Sequence, residues 1–107
     1  MNNRSVEDVA KFLAEIYGSE FGGKEQGRYK ISRSNLRRLS GRKRLEATTV
    51  SHIIDEALDL GYIVVEVGDY FCVVEEGVML NFRPVPKSVL SRFIKGEPGA
   101  RASDEED

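Results

Sequence analysis

The sequence predicts a small α+β domain in which helices precede a two-stranded antiparallel hairpin. Apolar residues recur at helical spacing in three segments before Gly61, which indicates helices with one buried face. Two β-rich stretches, 62–67 and 70–75, flank Gly68-Asp69, a dipeptide typical of a tight hairpin turn. With 107 residues, of which 40% are hydrophobic and 32% charged, the chain fits one domain.

A first helix is predicted to begin after Ser5 and to end at Gly18. Asp8 follows Ser5 at the spacing of a capping box, and Gly18 is expected to end the helix in a left-handed conformation. The apolar residues at helical spacing in this segment are Val6, Val9, Ala10, Leu13, Ile16 and Tyr17. Residues 19–27 predict a loop, and its glycines do not match a phosphate-binding motif because no strand precedes them.

A short strand and a short second helix are predicted next. Residues 28–32 alternate polar and apolar side chains, which favours a strand. Ser32 or Ser34 can cap a helix through residues 35–39, and Gly41 is expected to end that helix.

A third helix is predicted from about residue 45 to residue 60, and it stops at Gly61. One stripe is apolar and is expected to face the core: Ala47, Val50, Ile54, Ala57 and Leu58. The opposite side is polar and holds Thr48, His52, Asp55, Glu56 and Asp59, with Thr49 and Ser51 at its flanks.

The predicted hairpin is apolar on both faces. With Val67 opposite Tyr70, one face holds Ile63, Val65, Val67, Tyr70, Cys72 and Val74, and the other holds Tyr62, Val64, Phe71 and Val73. Because only one face is needed for the core, we expect the C-terminal segment or a partner subunit to cover the other. A final helix over residues 87–94 is predicted to bury Val89, Leu90, Phe93 and Ile94, completing a domain of residues 1–95. Residues 96–107 predict a disordered acidic tail.

Charge is distributed unevenly along a chain whose formal net charge is only −2. Residues 28–44 hold eight basic side chains and no acidic one, whereas the rest of the chain holds eight basic and all 18 acidic residues. This pattern predicts one positive face on an otherwise negative body. Such a face attracts a polyanion to one surface and repels it from the others.

The order helix, strand, helix, helix, hairpin resembles the winged helix-turn-helix family of DNA-binding domains. Its most specific stretch is residues 49–57 (TVSHIIDEA) followed by Leu60-Gly61-Tyr62-Ile63, and the resemblance covers roughly residues 5–75. It implies a small winged helix with an extra C-terminal helix. It also implies that the third helix enters the major groove of duplex DNA.

Two sets of side chains are candidates for DNA contacts under this interpretation. Cations on the second helix and just before the third helix are expected to contact phosphates: Arg33, Arg37, Arg38, Arg42, Lys43 and Arg44. Short hydrogen-bonding side chains in the N-terminal half of the third helix are expected to read bases: Thr48, Thr49, Ser51 and His52. The hairpin tip from Glu66 to Asp69 has no Lys or Arg, so we expect it to stay off the DNA.

The link between the second and third helices departs from the family pattern. From Leu39 to Thr49 it exceeds the common spacing by about one helical turn. Either the third helix starts early, or the loop that carries Arg42 and Arg44 protrudes.

Several classes of protein are disfavoured by the same residues. No apolar run approaches the ~20 residues of a membrane helix, and no secretory segment is recognisable near Met1. Cys72 is the one cysteine, so it is expected to be a buried small hydrophobe, and with His52 alone it cannot form a zinc site. No nucleophile–base pair, metal-ligand cluster or cofactor motif is present, so we expect a cytoplasmic protein that is not an enzyme and needs no cofactor.

The leading hypothesis is a transcriptional or mobile-element regulator that binds double-stranded DNA sequence-specifically. Because one such module buries a modest area, a homodimer that reads two half-sites is expected. The alternative is a winged-helix module, such as a phage- or plasmid-encoded antagonist, whose arginines meet an acidic protein partner. The sequence pI of about 5.5 and the acidic hairpin tip favour that alternative.

Overall fold

The computed structural model describes residues 3–23 and 27–94, and this part of the chain has an α+β fold. The helices and strands that carry the fold are α1 Val6–Tyr17, β1 Tyr29–Ser32, α2 Arg33–Ser40, α3 Ala47–Asp59, β2 Tyr62–Val67 and β3 Tyr70–Glu75. Two short helices follow, α4 Glu76–Leu80 and α5 Lys87–Leu90. No helix in this part of the chain is long and apolar enough to cross a membrane.

The strands form one antiparallel sheet in the order β1-β3-β2. Val67 lies opposite Tyr70 across the turn, as predicted for a hairpin closed by Gly68-Asp69. Gly68 has φ +60°, a left-handed conformation that a residue without Cβ adopts at little cost. Strand β1 pairs with the other side of β3, with Tyr29 opposite Val73. The central position of β3 makes it the strand most protected from solvent.

The core lies between the helices and one face of this sheet. Its buried side chains are Val9, Ala10 and Leu13 from α1, Leu36 from α2, Leu45 from the following loop, Val50, Ile53 and Ala57 from α3, and Val64, Phe71 and Val73 from the sheet. Ala47 and Leu58 were predicted to face this core, but both are exposed and Ile53 is buried instead. The buried stripe of α3 is therefore rotated relative to the prediction.

The helix starts follow the predicted caps. The backbone N–H of Asp8 donates to Ser5 Oγ at 3.0 Å, and that of Asn35 donates to Ser32 Oγ at 3.1 Å. Gly41 ends α2 with φ +74°, as expected for a left-handed cap. Gly18 ends α1 with φ −87°, so the prediction of a left-handed stop there was wrong. The N–H of Gly18 donates to the Glu15 carbonyl, a three-residue closure that needs no left-handed residue.

Aromatic side chains join α1 to the sheet. The hydroxyl of Tyr29 donates to the Leu13 carbonyl at 2.7 Å, and Tyr17 lies between the rings of Tyr29 and Tyr62. Burial, with a smaller contribution from Tyr62, raises the pKa of Tyr29 above the usual tyrosine range. The neutral phenol therefore remains a hydrogen-bond donor across the ordinary pH range.

The outer face of the hairpin is covered only near its base. Helix α4, which was not predicted, contacts β3 there, and Val74 is buried. Toward the tip Val65, Val67 and Tyr70 are exposed, and Cys72 is half-buried rather than buried.

The C-terminal helix differs from its prediction. It ends at Leu90 rather than at residue 94, and Leu90 and Phe93 are exposed while Val89 and Ile94 are half-buried. The segment finds too little apolar surface on its own domain to cover its side chains. The predicted acidic tail, residues 96–107, lies outside the described residues.

Candidate nucleic-acid interface

An open cleft of about 610 Å³ separates the hairpin tip from α2 and the loop that precedes α3. Its lining comprises Ser32, Arg33, Ser34, Arg37, Lys43, Arg44, Leu45, Asp69 and Tyr70. Four of these side chains are cationic, whereas Asp69 is the one carboxylate among them. The cleft is therefore a site of positive potential bounded by hydroxyl groups, a combination suited to phosphate.

The start of α2 is fixed to the hairpin by Arg33. Its backbone N–H donates to the Asp69 carbonyl at 2.7 Å, and its guanidinium forms an ion pair with Glu66 at 2.7 Å. The guanidinium also lies over the Phe71 ring, 5.4 Å from its centroid. Arg33 was predicted to contact phosphate, but its charge is already met by a carboxylate of the same chain.

Arg37 and Arg42 shape the loop between α2 and α3. Arg37 Nη1 donates to the Arg42 carbonyl at 3.0 Å, and the Ser40 hydroxyl donates to the Arg37 carbonyl at 2.7 Å. Arg42 is half-buried, and its Nη1 is buried without a hydrogen-bond partner. These two arginines are thus tied to the fold of the loop, although Arg37 still lines the cleft.

Lys43 and Arg44 are the most available of the predicted cations. Both are exposed and line the cleft, while Leu45 beside them is buried and anchors the loop. Because α3 begins at Ala47, the extra residues form a loop and do not extend α3. The link between α2 and α3 is therefore a loop, and α3 does not start early.

The remaining predicted cation, Arg38, does not line the cleft. It is exposed on α2 and its Nη1 donates to Asn35 Oδ1 at 3.3 Å. Arg28 is exposed just before β1, and Lys30 Nζ in β1 lies 4.5 Å from the centroid of the Tyr70 ring. The structure therefore brings together four of the eight cations of residues 28–44.

The side chains predicted to read bases lie on α3, directly after this loop. Thr48, Ser51 and His52 are exposed, whereas Thr49 is half-buried at the edge of the core. Glu46 is the N-cap residue of α3, and its side chain forms no capping hydrogen bond. Its exposed carboxylate therefore lies between Lys43 and Arg44 on one side and the polar side chains of α3 on the other. Asp55 and Asp59 are exposed farther along the helix.

Sequence reasoning did not place five of the lining residues in the site, among them Leu45 and Asp69. Ser34 and Tyr70 line it, and Ser32, predicted only as a helix cap, lines it as well. Ser32 and Ser34 could have been predicted to line the site, because they flank Arg33 in the sequence. The position of Tyr70 depends on the pairing of Ser32 with Tyr70 in the sheet, which no local pattern encodes.

Comparison with protein-family models, with curated proteins and with solved structures gave no match. In the described residues, no group of three or more His, Cys, Asp or Glu side chains could hold a metal ion.

Proposed function

We propose that residues 5–75 form a winged helix. The order α1-β1-α2-α3-β2-β3 supports this assignment, as does the sheet order β1-β3-β2. In such a domain α3 is the recognition helix and the β2–β3 hairpin is the wing. The C-terminal residues from α4 onward are then an addition to the winged helix.

The domain, in this proposal, binds double-stranded DNA through the N-terminal half of α3. The observation that supports it most directly is the cationic cleft at the loop that precedes that helix. Lys43 and Arg44 are exposed immediately before α3, and Thr48 and His52 are exposed on its first turns. Phosphates bound by the cations would position the helix, and the hydroxyl and imidazole groups would then read base edges in the major groove.

The biological role that fits this chemistry is transcriptional or mobile-element regulation in the cytoplasm. Because a single recognition helix contacts few base pairs, a homodimer reading two half-sites would supply the affinity of a regulator. No catalytic step is assigned to the protein.

Sequence reading by α3 is tested by selection from random duplex DNA. We expect the protein to enrich one motif, and the Thr48→Ala/His52→Ala variant to relax the preference at two or more positions. Each lost base contact should cost about 1–3 kcal/mol of discrimination, with bulk DNA affinity little changed. Lys11→Ala, an exposed change on α1, is the matched control. A uniform loss of affinity with the motif retained would contradict base reading by these residues.

The ion pair between Arg33 and Glu66 provides a second test. Glu66→Gln removes the carboxylate of the wing and frees Arg33, so we expect the salt dependence of DNA affinity to steepen by about one phosphate contact. Arg33→Ala should leave that slope nearly unchanged, because the paired guanidinium holds no phosphate. Glu75→Gln, an exposed change at the base of the hairpin, controls for net charge.

Fluorescence anisotropy of a labelled duplex at several salt concentrations measures these slopes. A slope that falls by about one in Arg33→Ala would mean that Arg33 contacts phosphate despite its carboxylate partner. A slope for Glu66→Gln that equals that for Glu75→Gln would mean that the freed guanidinium does not reach the DNA.

The second candidate function is binding of an acidic protein. Val65, Val67 and Tyr70 are exposed together on the outer face of the hairpin, and such a patch is typical of a protein contact. The arginine-lined cleft next to it would receive acidic side chains. Retention on heparin and on bulk DNA at low salt separates the two functions, because a DNA-binding protein must be retained on both materials.

A further inference from the structure

The C-terminal arm, defined here as residues 80–93, exposes an unusual amount of apolar surface. Its exposed large side chains, with their fractional exposures, are Leu80 (75%), Phe82 (68%), Val85 (59%), Leu90 (45%) and Phe93 (72%). The arm also carries Arg83, Lys87 and Arg92, and no acidic residue lies between positions 77 and 94. A segment of this kind is apolar and basic at once, and its own domain leaves it largely uncovered.

A second surface at the C-terminal end of α3 has the opposite charge. Leu58 and Leu60 are 48% and 45% exposed, and Asp55 and Asp59 are exposed beside them. Residues three and four apart share a helix face, so Asp55, Leu58 and Asp59 form one patch, here called the α3-end patch. Helix α3 contains no Lys or Arg. The patch is therefore apolar and acidic.

We propose that the arm of one copy docks on the α3-end patch of a second copy, and that the two copies exchange arms reciprocally. Each arm brings apolar side chains with cations to a surface of apolar side chains with carboxylates. In a two-fold dimer the same contact forms twice. With two phenylalanines in each arm, the exchanged arms can bury roughly 1,000 Å² or more, within reach of a stable interface.

The acceptor is a second copy because neither surface is covered by the residues that the structure describes. Arm docking on its own α3 would bury Leu58 together with Phe82 or Phe93, yet all three are about half exposed or more. The outer face of the hairpin is a weaker acceptor, because Lys30 lies over the Tyr70 ring there and would repel the basic arm. Charge thus selects the α3-end patch over the other exposed apolar surface.

The proposed dimer leaves the first turn of α3 accessible. Asp55, the patch residue nearest to that turn, lies roughly 10 Å along the helix axis from Thr48, at a rise of about 1.5 Å per residue. The self-association is measured without DNA. A failure to self-associate would therefore not contradict the DNA-binding proposal. A failure to bind DNA would likewise not contradict the proposed dimer.

Charge exchange between two variants of the full chain tests the proposal. Asp55→Lys/Asp59→Lys reverses the patch, and Arg83→Glu/Arg92→Glu reverses the arm. By sedimentation velocity we expect each variant alone to dimerise at least tenfold more weakly than the natural chain. An equimolar mixture should recover the natural affinity, because each arm then meets a patch of opposite charge. A single chain with all four changes should recover it as well.

Controls separate the arm from other surfaces and from misfolding. Lys11→Glu and Val67→Ser change exposed residues outside the proposed interface and should leave the dimer intact. Phe82→Ser/Phe93→Ser should abolish dimerisation while circular dichroism stays unchanged, because both side chains are exposed in the single chain. A natural chain that stays monomeric up to about millimolar concentration would overturn the proposal. Failure of the mixture to restore dimers, or loss of the dimer in Val67→Ser, would overturn it too.

Discussion

Replacing Lys43 and Arg44 together by alanine is expected to weaken binding to every duplex DNA sequence. Both side chains are exposed, line the cationic cleft and precede α3, and no internal ion pair is seen for either in the described residues. If each contacts one phosphate, the logarithmic salt slope falls by about two. At 0.1 M monovalent salt this corresponds to an affinity loss on the order of 50-fold.

The measurement is a salt titration of DNA affinity by fluorescence anisotropy, using duplexes of several unrelated sequences. The matched control is Lys11→Ala/Arg28→Ala, which removes the same charge from exposed positions that do not line the cleft. The control should lose only the few-fold affinity that reflects net charge. Equal slopes for the two double variants would contradict a phosphate-binding role for the cleft. Unequal losses across sequences would mean that Lys43 or Arg44 reads bases.

Arg42 is left out of this test for a structural reason. The sequence places it in one run with Lys43 and Arg44, and all three have the same predicted role. In the structure its side chain is half-buried and its carbonyl accepts a hydrogen bond from Arg37. Alanine at this position would disturb the loop as well as the charge, so a loss of binding could not be assigned to phosphate contact.

The hairpin and the helix caps could be predicted because local chemistry determines them. Gly68-Asp69 between two β-rich stretches fixes the hairpin register, and the structure pairs Val67 with Tyr70 as the turn requires. Ser5 and Ser32 both cap helices through their hydroxyls. In each case the determining atoms lie within a few residues of each other, so the pattern in the sequence is sufficient.

The buried stripe of α3 could not be placed correctly from periodicity alone. The apolar arc of this helix is broad, so more than one orientation buries a similar apolar area. The position of the core is decided by contacts with β2 and with α1, and α1 lies far from α3 in the sequence. Those contacts bury Ile53 and leave Leu58 exposed. The rotation matters because it creates the exposed leucine of the α3-end patch.

The C-terminal arm shows a different limit. Its spacing of Val89, Leu90 and Phe93 indicates an amphipathic segment that needs an apolar partner. Periodicity does not say whether that partner belongs to the same chain. In the structure Leu90 and Phe93 stay exposed, so the prediction of intramolecular burial was wrong.

The positive charge of the cleft could be predicted from the sequence, but the pairing of its charged side chains could not. A run of cations without acidic neighbours indicated a positive face, and four of them do meet in one cleft. The partner of Arg33 is Glu66, 33 residues away, and it faces Arg33 only because β3 lies between β1 and β2. The sequence contains many acidic and basic residues, and it does not indicate which of them form ion pairs in the fold.

The largest effect on stability is expected from Phe71→Ala. Phe71 is 1% exposed in the central strand, and it is among the largest fully buried side chains of the described residues. Truncation leaves a cavity under the sheet and removes the ring beneath the Arg33 guanidinium. Such a change typically costs about 3–5 kcal/mol, which is a large share of the about 5–15 kcal/mol that stabilises a typical domain.

Urea denaturation followed by circular dichroism measures this loss, and Val67→Ala supplies the control. Val67 lies in the same hairpin but is 55% exposed on its outer face, so its truncation should cost less than about 1 kcal/mol. If both variants lost equal stability, the hairpin would be buried on both faces in solution, and the outer face would not be free for any partner. If Phe71→Ala were nearly neutral, the inner face would not be the core, and the hairpin would not be held against α2 as the Arg33 contacts require.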